Sequence, residues 1–212
     1  MNKNWKKWFV YVGVILFTFH FSLFISSCSD DSSDDDGEYD NWVERNDAVI
    51  DQWASGSYVK YKSYAKDQNS VGQPSDYVYV KVVESGSGTE SPLYNDTIRV
   101  AYRLRYIPTD SYEEGYVVSE TYSGEFSWQT ISVQNFQLGS SLIDGFTTAV
   151  LNMHVGDRWI VNIPYPIAYG NPSSRSDIDD ASNLVYDLAL VDFWHPGETR
   201  PPFKARQMTI GN

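Results

Sequence analysis

Cysteine is all but missing from this chain. A single Cys28 in 212 residues excludes an internal disulfide framework and any cysteine-rich zinc site. Histidine is scarce as well, since His20, His154 and His195 are too few and too scattered to form a metal cluster. No cofactor is expected. Basic charge is in deficit: 16 Lys+Arg against 28 Asp+Glu give a formal charge of -12. The positive footprint that nucleic-acid binding needs is therefore lacking, and no nucleic-acid partner is expected. A Gly-x-Ser-x-Gly elbow is also lacking, which leaves hydrolysis poorly supported. The Asp179-Asp180 pair reads as a solvated loop before it reads as an acid pair. Apolar residues are plentiful, at 42% of the chain with 16% aromatic, enough for a real core.

The N-terminus has a layout of its own. Lys3, Lys6 and Lys7 precede an apolar stretch from Trp8 to Ile25, and no acid occurs before Asp30. The stretch ends at Ile25-Ser26-Ser27-Cys28, with small residues just ahead of the unique Cys. This is the arrangement of a secretory signal, and it resembles the bacterial lipobox, in which the Cys is lipidated and becomes the first mature residue. An uncleaved membrane span is the alternative, since the stretch is nearly long enough to cross a bilayer. On the first reading, residues 1–27 are a signal peptide and Cys28 carries the lipid. The chain is then anchored to the cell envelope, at the outer membrane and with surface exposure as an option. Residues 28–39 follow as an acidic low-complexity tether, Ser29-Asp30-Asp31-Ser32-Ser33-Asp34-Asp35-Asp36-Gly37-Glu38, that can bury little.

Residues 40–75 read as an N-terminal helical extension. Asp40 is a candidate N-cap, Trp42, Val49 and Trp53 share a stripe with Val43 and Ile50 beside it, and Gly56 ends the helix. A polar, Tyr- and Ser-rich passage runs on to Gln73-Pro74-Ser75. The main domain, 76–194, reads mostly as strands. Asp76–Glu84 sets Val78, Val80 and Val82 against Tyr77, Tyr79 and Lys81, the pattern of a half-buried strand. Thr97–Ile107 sets Ile98, Val100, Tyr102, Leu104 and Tyr106 against Arg99, Arg103 and Arg105. Ile143, Phe146, Val150 and Met153 switch to helical spacing before Gly156. Asp157–Ile163 and Leu184–Phe193 are further strands, the second apolar on both faces as at the centre of a sheet. These elements give an α+β domain, a curved antiparallel sheet wrapped round one short helix. Residues 195–212 form a tail expected along the surface or disordered.

Four segments of the main domain, taken in order, resemble the FKBP-type peptidyl-prolyl cis-trans isomerases. Leu142-Ile143-Asp144-Gly145-Phe146, running through Ala149 to Met153-His154-Val155-Gly156-Asp157-Arg158, is similar to the family's Val-Ile-x-Gly-Trp helix and the turn after it. Ile163-Pro164-Tyr165-Pro166-Ile167-Ala168-Tyr169-Gly170 resembles its Ile-Pro…Ala-Tyr-Gly stretch. Ile178 with Leu184-Val185-Tyr186-Asp187-Leu188 has the spacing of its Ile-Pro-Pro-x-x-x-Leu-Val-Phe-Asp-Val. Val100-Ala101-Tyr102 and Gly115…Val118-Ser119-Glu120-Thr121 resemble a fourth, looser motif.

The resemblance implies an FKBP-like fold and a cleft that accelerates rotation about X–Pro bonds in exported proteins. Proline-containing polypeptides would be its partners. It implies Phe146 as the floor, in place of the family's Trp, with Tyr102, Leu142, Ile143, Ile178 and Tyr186 as walls. The Ile143 N–H and the Tyr169 hydroxyl would hold the substrate's carbonyls. Periodicity alone leaves Tyr102 and Tyr186 open as ordinary core residues. The family's Phe-Asp pair falls on Val118 and Ser119, which shrinks one wall and removes a carboxylate. That departure keeps a second reading in play, a prolyl-peptide-binding or chaperone-like lipoprotein of reduced turnover. Asp179-Asp180 stand where the family often has Pro-Pro, and Asn171–Ser176 form a polar flap over the mouth. Between Gly124 and Leu138 the resemblance names no pocket residue.

Overall fold

Sheet and helix follow from two hydrophobic periods in one chain. The computed structural model describes residues 37–139 and 141–199. The signal-like segment, Cys28, the tether up to Asp36 and the tail from position 200 lie outside the described residues. Among the described residues two α-helices, α1 (Trp42–Ser55) and α2 (Asp144–Val150), and two short 3-10 turns accompany seven strands: β1 (Val59–Lys62), β2 (Tyr77–Glu84), β3 (Thr97–Arg105), β4 (Val117–Glu120), β5 (Gln134–Gln137), β6 (Arg158–Ile163) and β7 (Leu184–Trp194). All the pairings are antiparallel, in the order β1-β2-β6-β7-β3-β4, and β5 also pairs with β3. The doubly apolar β7 does sit inside the sheet, between β6 and β3. Register shifts interrupt the β2–β6, β3–β4 and β3–β7 ladders, and bulges of this kind bend a sheet.

The inner face closes on α2, whose residues Gly145 to Val150 are all buried. Gly145 is needed there because a Cβ would collide with Ile163 Cγ2 on β6. Gly156 sits at φ 95, a left-handed conformation suited to glycine, in the turn that feeds β6. Val78, Val80, Val100, Val161, Leu184 and Leu188 complete the inner core around Met153.

Several local expectations are corrected. The helix expected over Ile143–Met153 ends at Val150, and the residues to Met153 continue as hydrogen-bonded turns. The α1 N-cap is Asn41, left-handed at φ 51 without a side-chain cap bond, in place of Asp40; Asn tolerates that conformation. The buried α1 stripe is Trp42, Asn46, Ile50 and Trp53, with the polar Asn46 nearer the centre than Val49. The passage after α1 is not featureless, since β1 extends the sheet along β2. Along β2 the alternation breaks. Tyr79 is buried because Trp53 and Tyr58 pack on its ring, whereas Val82 is exposed. Burial there follows what covers each face, not the strand's own polarity.

Candidate active site

Strand alternation puts Tyr102 and Leu104 of β3 on the inner face, facing Leu188 and Tyr186 of β7. The first turn of α2 brings Phe146 up between them. Four rings then close a circuit. Phe146 lies 5.3 Å from Tyr186, Tyr186 6.0 Å from Tyr102, Tyr102 6.2 Å from Phe136, and Phe136 6.2 Å from Phe146. Such tilted and edge-to-face contacts are the favoured aromatic geometry. Above the circuit is an open cavity of about 490 Å³, the size of a small-ligand site.

The cavity brings together all nine residues that the resemblance implied for the pocket. Phe146, 4% exposed, and Tyr186, 6% exposed, form its base. Tyr102, Val118, Ser119, Leu142, Ile143, Tyr169 and Ile178 line the rest. Five further residues were not anticipated as lining: Leu104, Phe136, Ser141, Arg175 and Asp177. Leu104 was readable as the next inward position after Tyr102. Phe136 lies in the stretch where the resemblance gave no guide, and its one signal is a lone aromatic in a polar strand, opposite Ile98.

Polar groups gather at the rim. The Tyr102 hydroxyl is 3.1 Å from Ser119 Oγ and donates to Gln134 Oε1 at 3.3 Å. Arg175 lies over the Tyr169 ring at 5.3 Å and donates to the Tyr169 hydroxyl at 3.3 Å. It also forms a two-pronged ion pair with Asp177, one prong at 2.6 Å. That bond holds the Asp177 carboxyl below its usual range and the guanidinium above its own. Arg175 belongs to the expected flap over the mouth. The Ile143 N–H has no acceptor among the described residues, and Ile143 lies on the cavity wall. Burial, reinforced by Tyr169 and Tyr102, pushes the Tyr186 hydroxyl far above its ordinary range, so it stays protonated. The base of the cavity is aromatic, and apart from the Tyr186 hydroxyl the hydrogen-bonding groups named here stand round its mouth.

This geometry can be set beside known proteins. Residues 88–191 match the sequence model of the FKBP-type peptidyl-prolyl cis-trans isomerases. The domain belongs to that family. The macrophage infectivity potentiator of Trypanosoma cruzi is 30% identical over 136 residues, covering 64% of this chain and 62% of that protein. Peptidyl-prolyl cis-trans isomerase FKBP9 of Rattus norvegicus is 29% identical over 103 residues, 49% of this chain. The match spans only 17% of that relative's length. A crystal structure of a peptidyl-prolyl cis-trans isomerase from Pseudomonas syringae superposes with a TM-score of 0.53 at 20% identity, covering 73% of this chain and 95% of that one. That likeness carries the fold. The FKBP-type domain thus holds the four-ring cavity, while α1, β1 and β2 precede the matched residues.

Proposed function

We propose that the chain is a peptidyl-prolyl cis-trans isomerase acting on exported polypeptides. The observation that carries this reading is the closed circuit of Tyr102, Phe136, Phe146 and Tyr186 beneath an open cavity. Rotation about an X–Pro amide faces a barrier of about 18–20 kcal/mol and takes tens to hundreds of seconds unaided. Planarity is held by amide resonance, and resonance separates charge that water stabilises. A proline ring seated on Phe146 leaves that water behind, and the planar form loses part of its advantage. Donors at the rim then favour the twisted amide as its charge shifts. The Ile143 N–H is unused and available for a substrate carbonyl. The Tyr169 hydroxyl accepts from Arg175 and keeps its own proton to donate. No nucleophile or proton transfer is needed.

One observation favours a second reading, a prolyl-peptide-binding module of low turnover. By the resemblance Ser119 falls at the position of the family's Asp, and its hydroxyl is engaged with Tyr102. A protease-coupled proline-isomerisation assay on residues 28–212 separates the two. Acceleration lost in Phe146→Ala and reduced in Tyr169→Phe supports the isomerase. Prolyl-peptide binding without acceleration supports the module.

The same proposal places the protein at the cell envelope, lipidated on Cys28 and held off the membrane by the acidic tether, with the outer membrane and its surface as the expected site. The support is the sequence Ile25-Ser26-Ser27-Cys28 after an apolar stretch. Globomycin-sensitive processing and palmitate labelling, both lost in Cys28→Ser, test the anchor; normal processing of that variant would rule it out.

A further inference from the structure

Helix α1 lies outside the residues that match the family, yet it is wired to the two loops that close the cavity. Its stripe of Trp42, Asn46, Ile50 and Trp53 does not simply rest on the sheet. At its N-terminal end Trp42 Nε1 donates to Ser182 Oγ at 2.9 Å. One turn later Asn46 Oδ1 accepts the Asn183 N–H at 2.8 Å, and the Asn46 carbonyl accepts Asn183 Nδ2 at 2.7 Å. Asn46 also donates to the Trp42 carbonyl at 2.8 Å. The Asn183 side chain then accepts the Tyr165 N–H at 2.9 Å. Asn46, Ser182 and Asn183 are fully buried, so each bond replaces water that cannot enter.

These anchors sit at the roots of the cavity's outer wall. Ser182 and Asn183 end the loop that carries Asp177 and Ile178, and Tyr165 begins the turn that carries Tyr169. The two loops are laced together, since the Ala181 N–H donates to the Gly170 carbonyl at 3.1 Å and Ser173 N–H to Asp180 Oδ1 at 2.7 Å. Ala181 is held at φ 53, a left-handed conformation that a non-glycine residue keeps only when its neighbours enforce it. Its neighbour Ser182 is the residue Trp42 holds. Tyr106, whose ring packs against Trp42, accepts the Asp179 N–H at 2.9 Å. The loop bearing Ile178 is thus fixed at Asp179, directly after Ile178, and at its C-terminal end, Ser182 and Asn183.

We infer that α1 is a working part of the prolyl site. Trp42 and Asn46 are positioning residues that hold Ile178 and Tyr169 at the cavity, acting through Ser182, Asn183 and Tyr165. The inference rests on the isomerase reading for its effect on turnover, and on the hydrogen-bond chain for its effect on the loops. Trp53, at the far end of the same stripe, packs on Tyr79 and serves as the internal control.

The test combines amide hydrogen exchange with isomerase kinetics on the full chain, comparing wild type with Asn46→Ala, Trp42→Phe and Trp53→Phe. Asn46→Ala is expected to speed exchange at Ala181, Asn183 and Gly170 about tenfold and to raise KM about as much with kcat little changed. Amides of β3 and β7 should keep wild-type protection. Trp42→Phe keeps an aromatic ring but loses the bond to Ser182 and part of the indole's packing, so it should show the same loop pattern more weakly with a lowered unfolding midpoint, and it stands in if Asn46→Ala does not fold. Trp53→Phe should lower the unfolding midpoint and leave KM unchanged. The inference is overturned if loop exchange is unchanged, if loop and sheet amides accelerate together, or if Trp53→Phe raises KM as much as Asn46→Ala. A wild-type chain without turnover would remove the isomerase reading alone, because loop exchange is read without any reaction.

Discussion

The two faces of the sheet each carry an aromatic cluster, and the inner one opens into the cavity. On the inner face Tyr102, Phe136, Phe146 and Tyr186 lie beneath an open cavity. On the outer face Tyr122, Phe126 and Trp128, from the β4–β5 connection, pack over Ala101 and Ala189. There the gaps between rings are filled from within. The Arg158 guanidinium lies 4.1 Å from the Phe126 ring and the Arg103 guanidinium 4.7 Å from that of Tyr122. Both charges are paired: Arg158 grips Asp187 at 2.8 and 2.9 Å, and Arg103 meets Glu120 at 2.6 Å. Trp128 donates to Glu84 at 2.8 Å. Aromatic content therefore does not mark a binding site. The outer rings meet edge to face as the inner ones do, and the difference is the cavity left open above the inner rings.

The contrast can be broken from either side, and the largest effect is expected at the floor. Phe146→Ala should cost about 3–5 kcal/mol of stability, as large-to-small core changes do, and should abolish prolyl acceleration in the fraction that stays folded. Denaturant unfolding and the coupled assay read the two parts. On the outer face, Asp187→Ala leaves Arg158 with only its longer contact to Glu84, at 3.4 Å. Because that pair is only partly buried, the expected loss is about 2–3 kcal/mol, with kcat/KM of the folded protein unchanged. Stability without activity on one face, and both on the other, is the signature of the difference.

Smaller changes sharpen it. Tyr169→Phe removes one rim donor and should lower kcat/KM about 2- to 12-fold with the unfolding midpoint unmoved, the worth of one hydrogen bond. Val118→Phe restores a ring to the thin wall and should tighten prolyl-peptide binding about 2- to 10-fold, measured by calorimetry. The least effect belongs to a contact in neither cluster. His195 Nδ1 lies 2.7 Å from Asp96 Oδ1, and that hydrogen bond raises the His195 pKa above its ordinary value. A raised histidine stabilises most while protonated. The contribution is complete below about pH 6.5 and fades as pH climbs through the raised folded value. Thermal midpoints of wild type and His195→Gln should therefore converge slightly on the alkaline side, and prolyl activity should not separate them.

Much of this was legible in the sequence where burial depends on the strand or helix itself. The β3 alternation put Tyr102 and Leu104 inward, the doubly apolar β7 belonged inside the sheet, and the Ile143-Asp144-Gly145-Phe146 spacing carried the floor to the cavity. What escaped depends on partners distant in sequence. Phe136 faces the cavity because β5 pairs with β3 at Ile98, and nothing in Gln134-Asn135-Phe136-Gln137 states that pairing. Tyr79 is buried because Trp53 covers it. Asn46 reads as a polar blemish on an apolar stripe until Asn183, far along the chain, supplies its bonds. Arg175 lay within a flap recognised only as polar, and its place over Tyr169 is set by Asp177 and by the turn that carries Tyr169.

Nuclear magnetic resonance with a short prolyl peptide tests the central claim most directly. The account predicts that ring resonances of Tyr102, Phe136, Phe146 and Tyr186 shift on titration, that those of Tyr122, Phe126 and Trp128 stay put, and that cis and trans peptide signals begin to exchange. Shifts centred on the outer cluster, or equal shifts with the same peptide carrying Ala in place of Pro, would contradict it.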